Sequence, residues 1–398
     1  MSVKYSQYDH HDPQITLGNV HQDWDDLRAQ CPIGRSEAHD GMWVVTGFPE
    51  ACEILGDPRR FSSCPVSIPP FPQAAPMVPV EIDPPNHARY RAMLGAPFSV
   101  RRAEAYAEPL RLIVNDLIDD FVEAGSCDIY QAMAVRLPAA LATIMLGTPA
   151  DDADKLQEWV DTIVHEITRD LDLAVEAVEG VYQYFWDVLE RRQADPSGDD
   201  LISLLVRAEL DGEKLTEEEL LGFCLFLLLA STDTTQKAIG SMFWHLGADP
   251  DLRHRIASDP TVTPLAVEEF LRFWGPVLNA RRATSDAEVG GVKIREGDRI
   301  LVALGAANRD EREFPGAGQF VIDRTPNRHI TFGSSIHKCL GAHIARVELR
   351  VMLDEFLRRI PDFEIADESR IAWSTGQVQG VVRLPIRFPP GPRENRGT

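Results

Sequence analysis

Phe332-Gly333-Ser334-Ser335-Ile336-His337-Lys338-Cys339-Leu340-Gly341 leads into the last long helical stretch of the chain, expected from about Leu340 to Arg359. A cysteine at the mouth of a helix meets backbone N–H groups and the positive end of the helix dipole, and both favour its thiolate. A thiolate held there can ligate haem iron from one side and push electron density toward bound oxygen. A lone cysteine is more often a half-buried structural residue. The rest of the chain has to settle what Cys339 is for.

The 398 residues carry 40 Lys+Arg against 62 Asp+Glu, a formal net charge of −22. That excess of acid argues against nucleic acid, which needs clustered Lys and Arg, and against an anionic membrane surface. With 44% hydrophobic and 26% charged residues, the composition is that of a globular protein. The opening MSVKYSQYDHHDPQ lacks the apolar core of a signal peptide. The longest nearly unbroken apolar run, Leu220 to Ala230, falls short of the roughly 20 residues of a membrane span. Six scattered cysteines form no CxxC pair, and a chain this long needs no disulfides to build a core. A cytoplasmic protein is expected, with neither nucleic acid nor membrane as partner.

Met42 to Val45 reads as a short strand and Pro49 to Leu55 as a helix. Between Cys64 and Pro85 lie eight of the 28 prolines, which forbid regular structure and predict a long, functional loop. From Asn86 to about Ala208 the pattern is mostly helical: Leu110, Leu112, Ile113, Leu117, Ile118 and Val122 share one spacing, and Leu137, Leu141, Ile144 and Met145 another. A helix is expected from Thr216 to about Gly247, long enough to cross a domain. Further helix near Thr263–Trp274, hairpin signals at 289–292 and 295–298, and short strands near Val381–Ile386 complete a mainly α architecture with a small β part. Residues 193–200 are the best linker candidate, and residues 1–14 and 389–398 are expected to be poorly ordered.

Three further segments carry polar groups in unusual settings. Ala230-Ser231-Thr232-Asp233-Thr234-Thr235 sets a carboxylate midway along the long apolar helix, costly without a partner or a task. Glu269-Phe270-Leu271-Arg272 places opposite charges on one helix face. Asp83-Pro84-Pro85-Asn86-His87-Ala88-Arg89-Tyr90-Arg91 closes the proline-rich loop, with His87 and Arg91 one turn apart and able to hold carboxylates.

Together these segments resemble the cytochrome P-450 haem-thiolate monooxygenases of the soluble bacterial type. Phe332-Gly333-x3-His337-x-Cys339-x-Gly341 is similar to that family's haem-binding loop, with Ser335 where the family has glycine. Glycine there turns the loop with φ > 0, which serine tolerates less well. Residues 230–235 resemble the oxygen-side motif, with Ser231 replacing its usual glycine. The Glu-x-x-Arg pair and Phe314-Pro315 with Phe320 to Arg324 resemble the structural helix and meander, making Arg324 the third member beside Glu269 and Arg272. The resemblance spans nearly the whole chain and implies one domain, residues 1–398, in the cytochrome P-450 fold with its long central helix over the haem.

The resemblance implies that Cys339 is the iron ligand of haem b. It implies that His87, Arg91, Arg281 and His337 hold the propionates, that Thr234 hydrogen-bonds oxygen and that Asp233 relays protons. By the same analogy Val80, Phe226, Leu229, Val277, Leu278, Asn279, Gln377 and Val378 line the substrate pocket. The reaction implied is insertion of one oxygen atom of O₂ into a small hydrophobic substrate (terpenoid, alkyl-aromatic or lipid-like) by hydroxylation or epoxidation. NAD(P)H-derived electrons would reach a monomer through a ferredoxin and its reductase. Lys338, Arg101, Arg102, Arg346 and Arg350 are expected to form a basic docking patch for that acidic donor. A peroxide-using haem-thiolate enzyme, or a non-catalytic haem-bound ligand sensor, are the competing readings; Asp233-Thr234 argues against both.

Overall fold

Thr216 and Glu219 start the element against which the other helices stack. The Thr216 hydroxyl accepts the Glu219 N–H, and the Glu219 carboxylate accepts the Thr216 N–H. From this cap a helix runs Glu217–Ala248 in the computed structural model, which describes residues 3–394. It is buried all round, by Phe223, Cys224, Leu228, Ile239 and Phe243 among others, as a helix passing through a core must be. Helices Arg136–Leu146, Ala153–Glu166 and Leu171–Ala194 pack along it. The C-terminal helix Ala342–Arg359 lies against helices Ala107–Asp119 and Thr263–Phe273. Two residues of the helical patterns do not face inward: Leu112 and Ile144 are exposed. Residues 195–200 form a short turn between helices Leu171–Ala194 and Leu201–Arg207, not a linker between domains.

The β part is built around a five-stranded sheet in the order Ile33–Ser36, Met42–Val45, Arg299–Ala303, Leu278–Ala283, Phe61–Ser62. Only the Met42–Val45 and Arg299–Ala303 pair is parallel, with Ile300 opposite Trp43; Ile300 also sits opposite Arg281 in the antiparallel neighbour. The Val289–Val292 turn is a hairpin, with Gly290 and Gly291 at φ 55° and 79°. The turn at 295–298 is not a hairpin, because the strands it joins pair with other partners. A second hairpin, Ala372–Ser374 with Gly380–Arg383, docks on the central helix at Gly240, where an added Cβ would sit 2.2 Å from the Val381 carbonyl oxygen. Residues 64–86 contain neither helix nor strand, as the prolines predict.

Residues 3–14 and 391–394 make contacts with the rest of the described chain. Tyr5 donates its hydroxyl to the Cys31 carbonyl at 2.6 Å, and Tyr8 and His10 are buried, so residues 3–14 pack onto the sheet side of the molecule. At the other end the Gly391 N–H reaches the Val122 carbonyl, and Arg358 draws in the Glu394 carboxylate at 2.6 Å. Residues 1–2 and 395–398 lie outside the described residues.

Glu269 and Arg272 are fully buried and meet in a two-pronged ion pair at 2.7 and 2.8 Å, with Arg324 Nε 3.2 Å from the same carboxylate. Every remaining prong is used. Arg272 donates to the carbonyls of Asn308, Ala317 and Gln319, and Glu269 accepts from the Val321 N–H and Asn327. Removing one member leaves buried charge uncompensated, so Glu269→Ala should cost about 3–5 kcal/mol. Chemical denaturation checks this; a wild-type unfolding midpoint would contradict it.

Candidate active site

Cys339 presents its sulfur to a cavity of about 310 Å³. The loop leading to it is folded back on itself: the Cys339 N–H donates to the Phe332 carbonyl at 2.7 Å, and helix Ala342–Arg359 begins three residues later. Gly333 and Ser335 both take left-handed conformations, with φ of 69° and 59°. Ser335 thus keeps a glycine's backbone, at a cost of about 1–2 kcal/mol. Burial pushes the Cys339 thiol above its ordinary value. The Gly341 N–H and the charges of Arg91, Arg346 and Lys338 oppose this but do not win.

Beside the loop lies a cluster of donors without an anion. Arg281 is buried, and its one hydrogen bond goes to the carbonyl of its own neighbour Ala280. Burial lowers its guanidinium to about 10, with distant Asp83 opposing. His87 is buried with Nε2 unpartnered, and its ring packs edge-on against His337 with centroids 4.5 Å apart. His337 is pushed down to about 3 by burial and then by Arg281, His87 and Arg91. Arg91 donates to the Lys338 carbonyl. Among the described residues no carboxylate pairs with any of these groups.

On the central helix, Ser231, Thr232 and Thr234 donate their hydroxyls back to the carbonyls of Leu228, Leu228 and Ala230 at 3.1–3.2 Å. The helix runs through this turn without a break. Asp233 is buried and ion-paired one turn away with Lys237, which is itself completely buried. Lys237 is a partner the sequence reading missed, although its i+4 spacing on one helix was the available signal. Burial disfavours its charge, but Asp233 and then Tyr130 raise its pKa above the ordinary value. A polar chain continues from there. Tyr130 donates to Gln236, Gln236 to Gln157 and Gln157 to Asp161, whose carboxylate lies near His165 and Asp233.

All eight expected pocket residues, Val80, Phe226, Leu229, Val277, Leu278, Asn279, Gln377 and Val378, line the same cavity as Cys339, Asp233 and Thr234. Gln377 is not a free polar handle. Its amide accepts from the Ile68 N–H and donates to the carbonyls of Leu278 and Val66, clipping loop to strand. The loop itself hangs on Glu81, a buried carboxylate that accepts from the Val66 and Met77 N–H groups and from Gln73, each at 2.9 Å.

The cytochrome P-450 family profile matches residues 110–261 and 258–386. The chain is 35% identical to mycinamicin IV hydroxylase/epoxidase of Micromonospora griseorubida, over 91% of this chain and 94% of that one. It is 33% identical to vitamin D(3) 25-hydroxylase of Pseudonocardia autotrophica, over 94% of each. The chain belongs to the cytochrome P-450 family. Its fold superposes on the solved cytochrome P-450 CYP109Q5 of Chondromyces apiculatus with a TM-score of 0.88, 29% identity and coverage of 98% and 100%. As a cytochrome P-450 it is a monooxygenase that uses haem-thiolate chemistry and O₂. The residues present fit a haem: a thiol facing the cavity for the iron, and the unpaired cluster of His87, Arg91, Arg281 and His337 for carboxylates. Among the described residues, no helix is long and apolar enough to cross a membrane.

Within this P-450 the Asp233–Lys237 pair gives a sharp test. Lys237→Met strands a buried carboxylate and should cost about 3–5 kcal/mol. Adding Asp233→Asn to that variant should recover much of the loss, because neither charge then remains. Urea denaturation of the four members of the cycle measures the coupling; strictly additive losses would show that the pair is not one unit.

Proposed function

We propose that this monooxygenase hydroxylates or epoxidises a small hydrophobic substrate of terpenoid, alkyl-aromatic or lipid-like character. NAD(P)H-derived electrons would reach its haem b in the cytoplasm through a ferredoxin and its reductase. One observation carries the reading: Cys339, the Asp233-Thr234 turn and a wall of almost wholly apolar side chains line a single cavity. When bound, the haem supplies oxygen activation and insertion of one oxygen atom into the substrate.

The chain's own residues then have separable tasks. Cys339 would give its thiolate to the iron, while Arg281 and Arg91 would balance the charge of the two carboxylates of the ring and His87 and His337 would hold them by N–H hydrogen bonds. Thr234 turns its hydroxyl from the Ala230 carbonyl toward the cavity and holds a proton at its Oγ1. Asp233 passes that proton on at the carboxylate oxygen that Lys237 leaves unpartnered, receiving it from the side of Asp161 and His165, whose polar atoms lie within 4.8 Å of its own. Apolar residues such as Val80, Phe226, Leu229 and Val277 exclude water and orient the substrate by shape. A relative named for vitamin D(3), a lipid, supports the lipid-like end of the substrate range. The Asp233-Thr234 turn also speaks against a peroxide-driven enzyme or a ligand sensor, neither of which needs a proton route.

The docking patch needs a correction. Arg346 is held by Glu268 in a paired contact, Arg350 by Glu104 at 2.7 Å, and Arg102 faces Asp199 at 3.5 Å. Only Lys338 and Arg101 of the five expected cations have no ion pair among the described residues. Any pull on an acidic donor is therefore weak and local.

Cys339→His should abolish the red-shifted Soret band of the reduced, CO-treated protein, because that band depends on thiolate donation. Its survival would move the ligand to another cysteine. Thr234→Ala should retain haem and substrate binding while product formed per NAD(P)H drops several-fold and hydrogen peroxide rises by the same share. Unchanged coupling would transfer the proton-holding role to another hydroxyl, Ser231 being the nearest on the same turn.

A further inference from the structure

Away from the cavity, His10, His11 and His39 each bring one ring nitrogen within 4.8 Å of the others. Their ring centroids are 4.3 Å apart for His10–His11 and 5.3 Å for each of these to His39. Two of the rings share one acceptor: His10 Nε2 lies 2.8 Å and His11 Nε2 3.2 Å from the Ile68 carbonyl. A carbonyl accepts only from an N–H, so His10 carries its proton on Nε2 and a lone pair on Nδ1. That Nδ1 is buried without a hydrogen-bond partner, in a side chain with no exposed surface. Asp9 adds a carboxylate oxygen 2.9 Å from His39 Nε2 and 3.8 Å from His10 Nδ1.

These are the parts of a zinc site. A ring nitrogen with a free lone pair, whose opposite N–H is anchored on a backbone carbonyl, is how ligating histidines are oriented. Three imidazoles suit Zn²⁺, with Asp9 holding the Nε2 proton of His39 as the carboxylate that orients a ligating ring. Zn–N bonds of about 2.1 Å set the nitrogens about 3.4 Å apart, so the rings need close by no more than about 1.4 Å. The backbone is bent to present His39: that residue and Asp40 sit at φ 52° and 61°, and such conformations persist where the surroundings enforce them.

We propose that His10, His11 and His39, assisted by Asp9, bind one Zn²⁺ ion that clamps the N-terminal segment to the walls of the substrate cavity. The clamp has its connections in place. Ile68 belongs to the 64–85 loop, and its N–H is held by Gln377. The His10 carbonyl accepts the Gly376 N–H at 2.7 Å and the Gln379 amide at 3.3 Å, and the His11 carbonyl accepts from Thr375. Both the loop and the 374–380 hairpin turn line the cavity, so an ion here stiffens two of its walls together.

The test is isothermal titration of ZnCl₂ into tag-free, haem-loaded protein. The parent should bind one equivalent, and His39→Ala and His11→Ala should each weaken binding at least about ten-fold. His254→Ala, at an exposed histidine paired with Asp362, should bind like the parent. Zn²⁺ should also slow protease cleavage within residues 64–85 of the parent and have no such effect on His39→Ala. An unaltered reduced-CO spectrum shows that each variant is folded around its haem. Absence of binding to the parent, or equal binding by His39→Ala and His11→Ala, would overturn the site. Binding without protection of the loop would overturn the clamp.

Discussion

One buried carboxylate, that of Glu269, fixes the frame on which the thiol is carried. It gathers Arg272, Arg324, Asn327 and the Val321 N–H, and so ties helix Thr263–Phe273 to the irregular chain that follows the sheet. That chain is pinned further along by Asn308, whose side chain holds the Ile330 N–H, and by Thr331, whose hydroxyl reaches the Leu271 carbonyl. Phe332 comes next and accepts the Cys339 N–H. A continuous series of hydrogen bonds therefore leads from a charge network that touches no substrate to the sulfur that faces the cavity.

The protein treats buried charge in two opposite ways. Around Glu269 each charged group is matched: the carboxylate by four donor residues, and Arg272 by that carboxylate and three backbone carbonyls. Around Arg281 and His87 the donors outnumber the acceptors, and a buried guanidinium is left with a single neutral partner. A fully satisfied network holds a fold together; an unsatisfied one of a single sign is a seat for a ligand of the other sign. Asp233 with Lys237 stands between these cases. Its charge is balanced, but one carboxylate oxygen has no partner.

The parts of this arrangement that follow from local spacing were legible in the sequence. The Cys339 loop, the Glu269-Arg272 pair and the capped start of the central helix depend on residues a few positions apart. The eight residues that the resemblance assigns to the pocket all line one cavity. What was not legible depends on side chains that meet only after folding. The sequence singles out neither Glu81 nor its partners Val66, Gln73 and Met77, and it places Gln377 on the pocket wall without showing that its amide is already bonded. Arg346 and Arg350 read as a bare patch because Glu268 and Glu104 lie far off in sequence. The packed N-terminus was missed for the same reason: Tyr5 and His10 find their partners at Cys31 and Ile68.

Glu81 gives the proline-rich loop a property that regular structure would not. A helix or strand satisfies its backbone along its whole length, so a residue that breaks the pattern is felt by its neighbours. Here the fold of the loop rests on a few anchors, chief among them a single carboxylate that gathers the Val66 and Met77 N–H groups. Phe71, Val80 and the other cavity-facing side chains are spared that duty. They can be exchanged for larger or smaller ones while the anchor keeps the loop in place. Substrate preference in this enzyme can drift by single replacements on a wall whose support is located elsewhere.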